Sequence, residues 1–114
     1  MKDDANFGSV RSFGFRAPRT STNFSFLLEV PASGKHYDAV CTDLSEEGLA
    51  AEMPEPIPAG TLVVARLLFP GSTQPMQIKG SIEYCQDQRC GVTFSDLSGD
   101  EQYQIRSFIR SMSQ

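Results

Sequence analysis

From Thr22 onward the chain alternates apolar and polar residues with a period of two, in short runs cut by turn-forming residues. Successive side chains of a strand point to opposite sides, so this spacing describes half-buried β-strands. Thr22, Phe24, Phe26, Leu28 and Val30 fall on one face, with Asn23, Ser25, Leu27 and Glu29 opposite. Pro31-Ala32-Ser33-Gly34 turns the chain. His36–Thr42 returns, with Tyr37, Ala39 and Cys41 on one face and Val40 on the other. A polar turn, Asp43 to Gly48, leads into a short strand from Leu49 to Met53. Pro54, Pro56 and Pro58 remove three backbone donors, so residues 54–60 form a connection within one sheet rather than a helix or central strand. Thr61–Phe69 is apolar almost throughout and reads as a strand buried on both faces. After Pro70-Gly71-Ser72-Thr73, the series Met76, Ile78, Gly80, Ile82 and Tyr84 alternates with Gln77, Lys79, Ser81 and Glu83. Cys90, Val92 and Phe94 mark a final strand.

The period then changes. Ser98-Gly99-Asp100-Glu101 has the S-x-x-E spacing of a capping box, and Ile105, Phe108, Ile109 and Met112 follow at helical intervals. Arg106 and Arg110 lie on the other face of this amphipathic segment, which is expected to dock on the sheet. Six short strands closed by one helix predict an all-β fold with one C-terminal helix, a six-stranded antiparallel β-barrel.

A chain of 114 residues holds one core, and there is no apolar run of membrane-spanning length. The first residues lack the apolar stretch of a secretory signal, so a cytoplasmic location is expected, with no membrane insertion. The net charge is −4, but residues 1–20 carry Lys2, Arg11, Arg16 and Arg19 against Asp3 and Asp4, leaving an acidic body behind a basic arm. The expected organisation is therefore a flexible basic arm over 1–20 and a barrel with its helix over 21–114. An acidic body without tryptophan argues against a nucleic-acid-binding barrel, whereas the basic arm upon it is a reason to expect a small anionic ligand bound locally. Cys41, Cys85 and Cys90 are expected as buried thiols, with a Cys85–Cys90 bridge across a hairpin as the alternative. His36 is the only histidine, so a zinc site lacks ligands, and neither a nucleophile elbow nor a phosphate loop is present. No enzymatic activity, cofactor or metal is expected.

What remains is the arginine arm and the Asp43–Gly48 turn. Guanidinium groups suit phosphate and guanine O6 and N7, whereas a carboxylate suits the guanine N1–H and N2–H₂ donors. Asp43-Leu44-Ser45-Glu46-Glu47-Gly48 matches the [D/N]-x-S-x-x-G motif of PilZ domains. Gly80-Ser81-Ile82-Glu83-Tyr84 and Cys90-Gly91-Val92-Thr93-Phe94-Ser95-Asp96-Leu97 resemble that family's last two strands and their exit, and the final helix agrees in place and length. The resemblance covers about residues 16–112 and implies a six-stranded barrel that binds the bacterial second messenger cyclic di-GMP. It assigns ligand contacts to Asp43, Ser45 and Gly48, and to an R-x-x-x-R arm before the first strand. Here the arm departs from the pattern: Phe15, not arginine, stands four residues before Arg19. Arg16 and Arg19 are the expected pair, with Arg11 auxiliary. Binding is expected to order the arm and change the surface shown to a downstream protein, the domain itself being a monomer or weak dimer. A nucleotide-free interaction module in pilus assembly or motility is the alternative.

Overall fold

The computed structural model describes residues 19–112. Six antiparallel strands form a closed barrel: β1 (Thr20–Val30), β2 (Lys35–Leu44), β3 (Gly48–Glu52), β4 (Leu62–Leu67), β5 (Met76–Gln86) and β6 (Arg89–Phe94), in the order β1-β2-β3-β6-β5-β4. Closure removes the sheet edges that would otherwise leave backbone donors and acceptors unpaired. The seam is β1 against β4, a short ladder of Leu27↔Arg66, Leu28↔Ala65 and Glu29↔Val64.

The β1 alternation is as expected: Phe26, Leu28 and Val30 are buried, and Phe24 packs against the core at its margin. Inward residues of the other strands, among them Leu44, Val63, Leu67, Ile78, Ile82 and Cys90, fill the barrel. β4 corrects the expectation of burial on both faces. Val63, Ala65 and Leu67 point inward, but Leu62 is 71% and Leu68 50% exposed. A strand in a closed barrel of this size has one interior face, so an apolar run buries only alternate residues. On the outside of the same seam Arg66 pairs with Glu29 at 2.9 Å, and Glu29 also meets His36 at 2.9 Å. These partners, the Arg66 hydrogen bond foremost, hold the Glu29 carboxyl below its usual range.

The two ends of the barrel are closed differently. The proline-rich connection crosses one end and inserts Ile57, which is buried. The C-terminal helix α1 (Gly99–Met112) covers the other. Its first turn carries the expected capping box: the Ser98 amide donates to Glu101 Oε1 at 2.9 Å, and the Glu101 amide donates to Ser98 Oγ at 3.1 Å. Ile105 is fully buried. Phe108 stacks on Phe69 with centroids 4.4 Å apart, and Phe24 meets both rings edge-on at 5.9 Å. Aromatic contacts of this kind contribute about 0.5–1.5 kcal/mol each beyond burial, enough to seat a short helix on a barrel rim.

The cysteines also correct the sequence reading. Cys85 and Cys90 are directly opposed register partners of β5 and β6, with Cα atoms 4.0 Å apart, and they form a disulfide. Only Cys41 is a free thiol, and it is buried. Burial pushes this thiol up to about 11, while a hydrogen bond from Thr22 works in the opposite direction.

Candidate functional site

The segment from Asp43 to Gly48 is less of a turn than its composition indicates. Asp43 and Leu44 still belong to β2, and Gly48 opens β3, leaving residues 45–47 as the reversal. Ser45 builds it. Its Oγ accepts from the Glu47 and Gly48 amides at 3.1 and 3.2 Å and donates to the Gly48 carbonyl at 3.3 Å, while its own amide donates to that carbonyl at 2.9 Å. Ser45 is accordingly buried, and a short polar side chain bonding to nearby backbone is what a reversal of three residues demands. Gly48 serves close approach between strands. A Cβ there would lie 2.1 Å from the Val92 carbonyl oxygen on β6.

Two bulges decide what faces outward. Between Cys41 and Asp43 the β2–β3 register slips, pairing Cys41 with Ala51 but Asp43 with Ala50. A bulge inserts one residue and re-aims the next, so Cys41 points into the barrel and Asp43 out of it. Between Ile82 and Tyr84 the β5–β6 register slips in the same manner, and Tyr84 leaves the inward face that simple alternation assigns to it. The result is one transverse row on the outer surface: Asp43 opposite Ala50, Ala50 opposite Gly91, Gly91 opposite Tyr84. Two small residues thus lie between a carboxylate and a phenol. The Tyr84 ring lies across Gly91, where a Cβ would be 2.2 Å from Cε1.

Arg89, two residues from Gly91 on the same outward face, completes the row. Its Nη2 donates to Asp43 Oδ2 at 2.5 Å, with the side chains 47% and 23% exposed. Hydrogen bonding to Tyr84, and then the charge of Asp43, hold the guanidinium in its charged form above the ordinary arginine value. A second ion pair leaves the reversal on its other side. Arg106 of α1 donates to both oxygens of Glu46, at 3.2 and 3.0 Å, tying the helix to the turn.

Of the residues expected to bind ligand, the fold brings Arg19, Asp43, Ser45 and Gly48 to one corner of the barrel. Thr20 pairs with Leu44 and Ser21 with Asp43, so exposed Arg19 leaves β1 level with the reversal. Arg11 and Arg16 lie outside the described residues. Sequence reasoning missed Arg89 and Tyr84, because their outward orientation depends on a bulge and on a partner far along the chain. Among the described residues there is no cluster of metal-ligating side chains, and no helix is long and apolar enough to cross a membrane.

The family model described as PilZ domain matches residues 14–111. No curated protein sequence gives a match. Among solved structures, the PilZ domain of CeSA from a cellulose-synthesizing bacterium superposes with a TM-score of 0.70 at 15% identity, covering 86% of this chain and 100% of that one. The PilZ domain of Escherichia coli YcgR with c-di-GMP gives 0.69 at 16% identity, covering 86% and 90%. The Bacillus subtilis inhibitor of motility MotI/DgrA gives 0.67 at 13% identity, covering 85% of this chain and 50% of that chain.

Proposed function

The chain belongs to the PilZ domain family, a family of cyclic di-GMP receptors, and on that footing we propose that it binds cyclic di-GMP at the corner where the arm meets the Asp43–Gly48 segment. The reading rests chiefly on Asp43. A bulge turns its carboxylate outward beside the point where the basic arm joins β1, and the Arg89 bond engages Oδ2. An ionised carboxylate has about four lone-pair positions, so acceptor capacity remains for guanine N1–H and N2–H₂. Ser45 and Gly48 serve the ligand by shaping the backbone that holds Asp43 in place. Arg19, with Arg16 and Arg11 upstream, supplies positive charge to the two phosphates from the arm, residues 1–20. The bound arm then presents a changed surface to a downstream protein, and the domain works as a regulatory receptor without catalysis.

Titrating the 114-residue chain with cyclic di-GMP by calorimetry tests this reading. The expected result is saturable binding in the micromolar range or tighter, since charge-assisted hydrogen bonds contribute roughly 1.5–3 kcal/mol each before ordering costs. Arg19→Ala is expected to weaken binding at least about tenfold. No heat from the wild-type chain at high micromolar ligand would sink the assignment.

A further inference from the structure

We propose that Arg89 is a specificity-determining residue that reads guanine jointly with Asp43, a role outside the arm and the Asp43–Gly48 segment. The inference rests on the cyclic di-GMP reading above and deepens it.

Guanine presents the acceptors N7 and O6 on its Hoogsteen edge and, continuing from O6 around the ring onto its Watson–Crick edge, the donors N1–H and N2–H₂. Reading both edges requires donors placed next to acceptors. The outer row of this barrel has that order: the Arg89 guanidinium lies against the Asp43 carboxylate, which it meets through Nη2 and Oδ2 at 2.5 Å. A guanidinium has five N–H donors, and its bonds to Asp43 and Tyr84 leave donors for O6 and N7. Adenine reverses the pattern at two positions, setting its amino group against the guanidinium and its N1 lone pair against the carboxylate. Polar groups left unpaired in this way are the strongest basis for rejecting a wrong ligand.

Three features hold the pair ready. Arg89 has two side-chain partners, the Asp43 carboxylate and Tyr84, so the guanidinium is held beside Asp43. Ala50 and Gly91 lie buried on the outward side of β3 and β6, where the absence of a side chain at Gly91 admits the Tyr84 ring next to Arg89. The Cys85–Cys90 bridge fixes the β5–β6 register one residue beyond Tyr84 and one beyond Arg89. The pairing also explains how a chain with Phe15 in place of an arm arginine keeps enough donors for the base: the barrel provides one.

The test is a cycle between protein and ligand, using calorimetry of the full chain with cyclic di-GMP and with its 7-deazaguanine analogue, which lacks the N7 acceptor. The wild-type chain is expected to bind the analogue about tenfold more weakly than cyclic di-GMP. Arg89→Ala is expected to weaken cyclic di-GMP about tenfold and to bind both ligands equally. Arg89→Lys, which retains the charge beside Asp43 without the planar fork, is expected to behave like Arg89→Ala. Thermal melts of each variant exclude unfolding as the cause. If Arg89→Lys keeps the full N7 penalty, or if Arg89→Ala still discriminates as the wild type does, Arg89 is a counter-ion only and the proposal is overturned. A wild-type chain that binds neither ligand overturns the receptor reading as well, whereas one that binds both equally overturns only the role of Arg89.

Discussion

Two carboxylate–arginine pairs flank the same reversal, three residues apart, and they perform different work. Asp43–Arg89 and Glu46–Arg106 have similar chemistry and similar exposure. Glu46 gives both oxygens to Arg106, so its acceptors are turned toward the helix. Asp43 meets Arg89 through one oxygen, on the outer face of the barrel, above a floor of small residues and beside the origin of the arm. One pair fastens α1 to the barrel; the other is the pair we propose meets a ligand. Composition and spacing alone do not distinguish them. What separates them is which oxygens are already used and what lies underneath.

The substitution with the largest expected effect removes both arms of this comparison. Gly48→Ala would drive a Cβ to 2.1 Å from a backbone oxygen that cannot rotate away, forcing β3 from β6. Overpacking of this kind costs about 1–3 kcal/mol or more, so urea denaturation should show a loss of that size together with loss of cyclic di-GMP binding. Unchanged stability would mean that the reversal is not set by this close approach.

A second effect of similar size lies beneath Asp43, on the inward side of the bulge. The Cys41 thiol ionises near 9.0 ordinarily and near 11 in the fold, so the unfolded chain releases its proton first as pH rises. The fold's preference for the neutral thiol is neutral in its effect below pH 9, and stability falls between pH 9 and 11 by about 2–3 kcal/mol. Comparing denaturation of the wild type with Cys41→Ala over that interval isolates the contribution, because other alkaline titrations are common to both. Parallel curves would show that burial at this position does not control the thiol.

The smallest effect should come from the helix-side pair. Arg106→Ala removes an exposed ion pair of the kind that contributes about 0–1 kcal/mol, so stability should fall by no more than that. Affinity for cyclic di-GMP should stay within about twofold, because the Arg106 guanidinium is engaged with Glu46 rather than with Asp43. A tenfold loss of affinity would show that α1 belongs to the binding machinery and would erase the distinction between the two pairs.

Much of the architecture is legible in the sequence. The alternation of Phe24, Phe26, Leu28 and Val30, the Ser98–Glu101 capping box, and the three prolines between Pro54 and Pro58 each declare their element through local physics. The candidate site was half legible. Asp43, Ser45 and Gly48 stand together in sequence, and their residue types announce a reversal. Arg89 was hidden because it is 46 residues from Asp43, and contact requires the β2–β3–β6 ladder to be in register. Tyr84 was hidden because a bulge moves it off the face that period two assigns. The same dependence on register left the Cys85–Cys90 bridge as the alternative to buried thiols, until the two cysteines are seen to face each other across the β5–β6 hairpin. Leu62 and Leu68 misled for the converse reason, since an apolar side chain does not by itself state which side of a barrel it occupies.

The most direct test of the account compares Asp43→Ala and Glu46→Ala in calorimetric titrations with cyclic di-GMP, alongside the wild-type chain. Removing the Asp43 carboxylate should weaken binding at least about tenfold, in keeping with a charge-assisted contact to the base. Removing the Glu46 carboxylate should leave affinity within about twofold while costing no more than the 0–1 kcal/mol of an exposed pair. Equal losses in both variants, or no loss in Asp43→Ala, would contradict the assignment of the outer Asp43–Arg89 row as the place where the ligand is read.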